Sequence, residues 1–103
     1  MIKEEELKAI HQRFEQASEE IWIDVRTPEE WKEGTIPGVK KITLSEFEEH
    51  LSDLPREQTY VLVCRSGNRS GKAAKLMASK GFENLVNVKG GMMSWYKAGY
   101  KVV

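Results

Sequence analysis

A chain of 103 residues is long enough for one hydrophobic core and too short for two, so residues 1–103 are read as a single domain. Its 16 basic and 16 acidic residues cancel, which leaves no global field to draw it to nucleic acid or a membrane surface. No apolar run approaches the ~20 residues of a membrane span, the stretch Met1-Ile2-Lys3-Glu4-Glu5-Glu6 lacks the apolar centre of a signal peptide, and one cysteine excludes an internal disulfide, so a soluble, cytoplasmic protein is expected.

The elements follow from periodicity and punctuation. Leu7, Ile10 and Phe14 make a helical stripe within Glu4–Gln16, and the residues before it fit a short edge strand. Residues 21–25, Ile-Trp-Ile-Asp-Val, form a run short enough for a buried strand. Thr27-Pro28-Glu29-Glu30 opens a short helix, with Thr27 as N-cap, Pro28 at the first helical position and Glu30 closing the capping box. Ile36-Pro37-Gly38 turns the chain, Lys41-Ile42-Thr43 fits a short strand, and Ser45-Glu46-Phe47-Glu48 reads as a second capping box whose helix runs to Leu51 before Pro55.

Tyr60 to Cys64 is the most apolar strand candidate. A helix is expected from Arg69 to Lys80, with Ala73, Leu76 and Met77 inward, Gly81 just past its end and Phe82 packing back over the last turn. Leu85–Val88 makes a strand, and Gly90-Gly91 leads into a last helix from Met92 to Ala98, stopped by Gly99. Met92, Met93, Trp95 and Tyr96 read as its core-facing stripe, and Trp22 and Trp31 as packing residues, Trp31 also placed to rim a site entrance. His11 and His50, far apart among charged residues, read as solvated, and with no His/Cys cluster at ligand spacing no metal or cofactor is expected. Strands alternating with helices, two strands apolar on both faces, predict an α/β domain with a mainly parallel central sheet.

Cys64 is the only cysteine. A lone cysteine at the end of a buried strand is ordinarily a small core residue. Its neighbours argue otherwise, because Arg65, Ser66, Gly67, Asn68, Arg69 and Ser70 form no core pattern. They lie between the strand and a helix N-terminus, where backbone N–H groups and positive charge converge to hold a thiolate and bind an anion. In an open parallel sheet the ligand crevice lies beyond the carboxyl ends of the strands, and Asp24-Val25-Arg26 stands at a second such end.

The chain resembles a single-domain rhodanese, a thiosulfate sulfurtransferase homology domain, from Trp22 to Val103. Residues 23–30 (Ile-Asp-Val-Arg-Thr-Pro-Glu-Glu) are similar to the family's early motif and residues 34–38 (Gly-Thr-Ile-Pro-Gly) to its second. Residues 63–70 (Val-Cys-Arg-Ser-Gly-Asn-Arg-Ser) are similar to its active-site loop, and Gly90-Gly91-Met92 with Trp95 and Gly99-Tyr100 to its C-terminal signature. Thr35 departs from the pattern, since many members carry histidine there, which bears on partner contacts or local packing.

The resemblance implies a three-layer rhodanese-like fold, with helices on both faces of the sheet, and a sulfurtransferase in which Cys64 takes a sulfane sulfur, becomes a persulfide and passes the sulfur on. The implied donor is a small anion such as thiosulfate or a persulfide, and the implied acceptor is cyanide or a thiol. Arg65, Ser66, Gly67, Asn68, Arg69 and Ser70 then bind substrate; Ser70 is also readable as an N-cap. Asp24 braces the neighbouring loop, and Arg26 pairs with Glu30 or another carboxylate. Two alternatives stand beside this reading: a persulfide carrier or regulatory module for a protein partner, and a cysteine-dependent phosphatase. The phosphatase pattern places five residues between Cys and Arg, whereas four separate Cys64 from Arg69, a smaller nest suited to one sulfur atom.

Overall fold

Tyr60 and Leu62 on one side and Val61 and Val63 on the other leave the central strand without a polar face, and such a strand is stable only with cover on both sides. The computed structural model, which describes residues 2–16 and 19–103, provides that cover; Met1, at the head of the charged N-terminal stretch, lies outside them. Strands β1 (Ile2–Glu5), β2 (Ile21–Asp24), β3 (Lys40–Lys41), β4 (Thr59–Val63) and β5 (Asn84–Val88) form one sheet in the order β1-β5-β4-β2-β3. Every pairing is parallel, with Leu62 of β4 opposite Ile23 of β2 and Asn87 of β5.

Helices α3 (Phe47–His50) and α4 (Asn68–Ser79) cover one face, where Phe47, Ala73, Ala74 and Met77 pack with Ile23, Tyr60, Leu62 and Leu85. On the other face, Ile10 of α1 (Leu7–Glu15) and Met92 and Trp95 of α5 (Gly91–Lys97) pack with Trp22, Val61, Val63 and Val86. The architecture is therefore three-layered α/β: the alternating pattern implied the parallel sheet, and the resemblance implied helices on both of its faces. The short helix α2 (Pro28–Trp31) buries no residue fully, and its start is the capping box expected there. At the end of α4, Gly81 has φ +95°, its N–H reaches the Ala78 carbonyl, and the Phe82 N–H reaches that of Met77, a Schellman closure that lets Phe82 fold back into the core.

Several expectations are corrected. Glu4 and Glu5 belong to edge strand β1 rather than to the first helix, because pairing with β5 satisfies their backbone. The third strand covers Lys40–Lys41 rather than Lys41–Thr43. Ser45 forms no capping box: its hydroxyl lies 3.3 Å from that of Thr43, and the chain runs through 3-10 turns at Leu44–Glu46 and Leu51–Asp53 on either side of α3. His11 is half-buried and stacks on Tyr100 with ring centroids 3.6 Å apart, a partner delivered by the far end of the chain. Met93 is 52% exposed, one step off the stripe of Met92 and Trp95. Thr35 is buried and exchanges two backbone hydrogen bonds of 2.9 Å with Val103, so this position serves local packing.

Trp95 is fully buried and donates its indole N–H to the Lys101 carbonyl at 2.9 Å. Trp95→Ala is expected to destabilise the fold by about 3–5 kcal/mol, read as a lower urea midpoint at unchanged slope.

Candidate active site

Strand β4 ends at Val63, and the chain must reverse within four residues to begin α4 at Asn68. Gly67 makes this possible with φ +104°, a left-handed conformation that a side chain would strain. The turn directs its N–H groups inward, and the Gly67 N–H donates to Cys64 Sγ at 3.1 Å. The Ser70 hydroxyl, in the first turn of α4, reaches the same sulfur at 3.3 Å. Ser70 is not the N-cap, a position that Gly67 occupies.

The loop carbonyls face the opposite way, toward the start of α5. Met92 donates its N–H to the Cys64 carbonyl at 2.8 Å and Met93 donates to that of Arg65 at 3.0 Å. These are first-turn donors with no partner inside their own helix. Between the two elements Gly91 has φ +54°, and a Cβ there would stand 2.5 Å from the Arg65 carbonyl oxygen and closer still to that of Cys64. Gly91 thus sets how closely α5 approaches the loop. The Gly-Gly pair marks a turn in the sequence, but nothing local reveals that Cys64 lies against it.

Cys64 is 1% exposed. Burial works against its thiolate and is the largest single influence, yet the Ser70 hydroxyl and the backbone N–H groups of Ser70, Gly67 and Ser66 together outweigh it, so the thiol pKa lies below its ordinary value. The leading stabilisers are loop dipoles rather than the two guanidinia that the sequence suggested. Arg65 is exposed, and its side chain makes no hydrogen bond or ion pair among the described residues. Arg69 is bound bidentately to Glu30 at 2.7 and 2.8 Å, which joins α4 to α2. Asn68 is exposed at the loop's outer edge.

Arg26 does not pair with Glu30. Its Nε donates to both oxygens of Asp24 at 3.0 and 3.1 Å and its Nη2 to one at 2.9 Å, while the Asp24 carboxylate also accepts the Arg26 backbone N–H. The guanidinium further reaches the Gly34 carbonyl and the Tyr96 hydroxyl, so this buried pair ties the end of β2 to the 34–36 segment and α5. Burial opposes the Arg26 charge, but the bonds to Asp24 and Tyr96 raise its pKa. Both residues lie in the scaffold beside the loop, and neither is hydrogen-bonded to Cys64 Sγ among the described residues. Trp31 is half-buried on α2.

The sequence reading missed Asn87. This buried residue of β5 accepts from the Ser70 hydroxyl at 2.5 Å and donates to the Gly67 carbonyl at 3.1 Å and to the Glu4 carboxylate at 2.9 and 3.0 Å. An asparagine inside an otherwise apolar strand was the available signal, since a buried amide must find partners.

The sequence matches the rhodanese-like domain family over residues 5–98. It is 40% identical over 94 residues to a Bacillus subtilis (strain 168) protein named "Putative sulfurtransferase YtwF", covering 91% of this chain and 90% of that protein. It is 28% identical over 103 residues to a protein of Allochromatium vinosum named "Sulfurtransferase", covering 100% of this chain and 96% of the other. The crystal structure of a rhodanese-related protein from Thermoplasma volcanium superposes with a TM-score of 0.87 at 32% identity, covering 98% of this chain and 97% of that one.

Two outcomes test the site. Ser70→Ala is expected to raise the Cys64 pKa, read from the thiolate absorbance against pH, and to cost about 1–3 kcal/mol by leaving the Asn87 oxygen buried without a donor. Glu30 is held down to about 2 from the ordinary 4.5 by its bonds from Arg69, which with Thr27 overcome partial burial. A depressed carboxylate stabilises the fold above its unfolded pKa and ceases to do so as pH falls toward the folded one. The stability difference between wild type and Glu30→Gln should therefore hold at neutral pH and shrink between about 4.5 and about 2, as followed by urea unfolding.

Proposed function

The chain belongs to the rhodanese-like domain family, and from that premise we propose that it is a sulfurtransferase that takes a sulfane sulfur from thiosulfate or a persulfide donor onto Cys64. The observation that carries this reading is the convergence of the Gly67 N–H and the Ser70 hydroxyl on one buried sulfur whose thiolate is favoured. The family and its sulfurtransferase-named relatives support sulfur transfer in general; the donor, the acceptor and the residue roles are the proposal.

In the first half-reaction the Cys64 thiolate attacks the outer sulfur of thiosulfate. A sulfur–sulfur bond forms at Cys64 while that of thiosulfate breaks, and its electron pair leaves with sulfite. The negative charge now lies on the outer sulfur of the persulfide, inside a loop whose N–H groups already point inward. In the second half-reaction cyanide or a thiolate attacks that outer sulfur, and Cys64 departs as the thiolate that began the cycle. Arg65, exposed and unpaired among the described residues, attracts the sulfonate end of the donor. Asp24 and Arg26 hold the scaffold.

Loop size argues against phosphoryl chemistry. Four residues separate Cys64 from Arg69 where the phosphatase pattern has five, and the shorter loop has fewer N–H groups to offer the three equatorial oxygens of a phosphoryl group.

Incubation with thiosulfate should add the mass of one sulfur atom to the wild type and nothing to Cys64→Ser, read by intact-protein mass spectrometry. Transfer to cyanide should vanish in that variant, and turnover near the wild-type rate would overturn the persulfide mechanism. The wild type should hydrolyse no aryl phosphate. A glycine inserted between Gly67 and Asn68 should abolish sulfur transfer by widening the loop.

A further inference from the structure

Of the two guanidinia beside Cys64, only one is uncommitted. Arg69, in the first turn of α4, lies near enough for its charge to interact with that of Cys64. Both of its terminal nitrogens are nevertheless bound to Glu30. Glu30 in turn is not free to swing aside, because one of its oxygens accepts from the Thr27 N–H and the Thr27 hydroxyl, each at 3.1 Å, within the capping box that opens α2. A fixed carboxylate thus stands beside the Cys64 loop independently of any substrate. It is ionised throughout the neutral range. An approaching donor meets the charge of Arg65, while that of Arg69 is cancelled across a bond of 2.7 Å.

We propose that Glu30 is the donor-specificity residue of this site: by neutralising Arg69 it turns Cys64 away from doubly charged donors such as thiosulfate and toward sulfane-sulfur donors that carry one negative charge. This rests on the sulfurtransferase reading above and deepens it, since it names the charge class of the preferred donor. A persulfide monoanion fits that class. For such a donor the Cys64 thiolate attacks the outer sulfur of R–S–S⁻: a sulfur–sulfur bond forms at Cys64, the bond to R–S breaks, and R–S⁻ leaves with the electron pair and takes a proton from solvent, while the negative charge of the transferred sulfur stays on the Cys64 persulfide. The physics is a withheld attraction: an unpaired Arg69 would attract each negative charge of the donor, so the Glu30 carboxylate that cancels it costs a dianion about twice what it costs a monoanion.

Glu30→Gln separates charge from shape. Glutamine closes a capping box as well as glutamate does, so α2 keeps its start while Arg69 is released. The comparison uses thiosulfate, a dianion, and methanethiosulfonate, a monoanion that presents the same sulfonyl-bound sulfur. The measured quantity is the ratio of kcat/KM for the two donors on one protein, which does not depend on how much of a preparation is folded. Glu30→Gln is expected to raise the thiosulfate-to-methanethiosulfonate ratio by about five- to tenfold at low salt, with the gain shrinking as ionic strength rises. Adding Arg69→Met to that variant should return the ratio to the wild-type value or below. A ratio unchanged by Glu30→Gln while the wild type uses both donors overturns the role of Glu30 and leaves the sulfurtransferase reading standing. A raised ratio that survives the removal of Arg69 overturns the route through Arg69. A wild type that loads sulfur from neither donor overturns the sulfurtransferase reading and this inference with it.

Discussion

The backbone N–H groups of Ser66, Gly67 and Ser70 favour one sulfur atom, and a peptide that turns its donor inward turns its acceptor out. The Arg65 carbonyl, of the same peptide as the Ser66 N–H, and the Cys64 carbonyl before it find the first turn of α5. The Met92 and Met93 N–H groups lack partners in their own helix, and the Cys64 and Arg65 carbonyls lack partners in their loop; at 2.8 and 3.0 Å each pair resolves the other's deficit. Gly91 allows the approach because no Cβ stands in the gap. The Cys64 loop and the last helix are thus one unit, although α4 and β5 lie between them.

Behind the loop a second constraint operates through side chains. The Ser70 hydroxyl has one proton and two acceptors, Cys64 Sγ at 3.3 Å and Asn87 Oδ1 at 2.5 Å. Asn87 cannot present its nitrogen instead, because that group is held by Glu4 and by the Gly67 carbonyl. The hydroxyl therefore serves the sulfur or the amide, one at a time. When Cys64 is a thiol it can donate to Ser70 while Ser70 donates to Asn87. When it is a thiolate the proton is drawn to sulfur, where a charge-assisted bond is the stronger one. The edge strand β1 enters the site by this route, since Glu4 holds the amide that holds Ser70.

What was legible in the sequence was mostly local. The capping box at Thr27–Glu30 and the glycine closure at Gly81 are each complete within six residues, and both form as read. The parallel sheet was legible too, because a strand buried on both faces shows as an uninterrupted apolar run. The thiol could be placed because a strand, a thiol and a glycine-containing turn are contiguous. Ser45 shows the limit of local reading: a capping pattern is necessary for the box but does not enforce it when the chain adopts 3-10 turns instead. Contacts distant in sequence were beyond reach. Glu30 and Arg69 are 39 residues apart, Asn87 and Glu4 are 83 apart, and His11 meets Tyr100 from opposite ends of the chain. Their composition offered clues, a surplus carboxylate here and a buried amide there, but pairing them requires the strand order.

The distribution of charge around Cys64 follows a rule that none of these residues states alone. Arg26 is held by Asp24 and Arg69 by Glu30, so two of the three nearby guanidinia are spent on architecture. The thiolate is left to N–H and O–H dipoles within about one hydrogen-bond length, whose influence is short in range and, in a buried site, little screened by salt. In the sulfur transfer we propose, Arg65 attracts the donor from the exposed side, across solvent, where screening is strong. On that proposal, stabilisation of the thiolate and recruitment of the anion are carried by different groups under different physics. The first depends on the geometry that α5 and Asn87 impose on the loop, and the second on a single exposed charge. Changes of ionic strength should reach the second while leaving the first nearly untouched, which is why the exposed Arg65 side chain and the Gly67 N–H of the same loop need not act as one electrostatic unit.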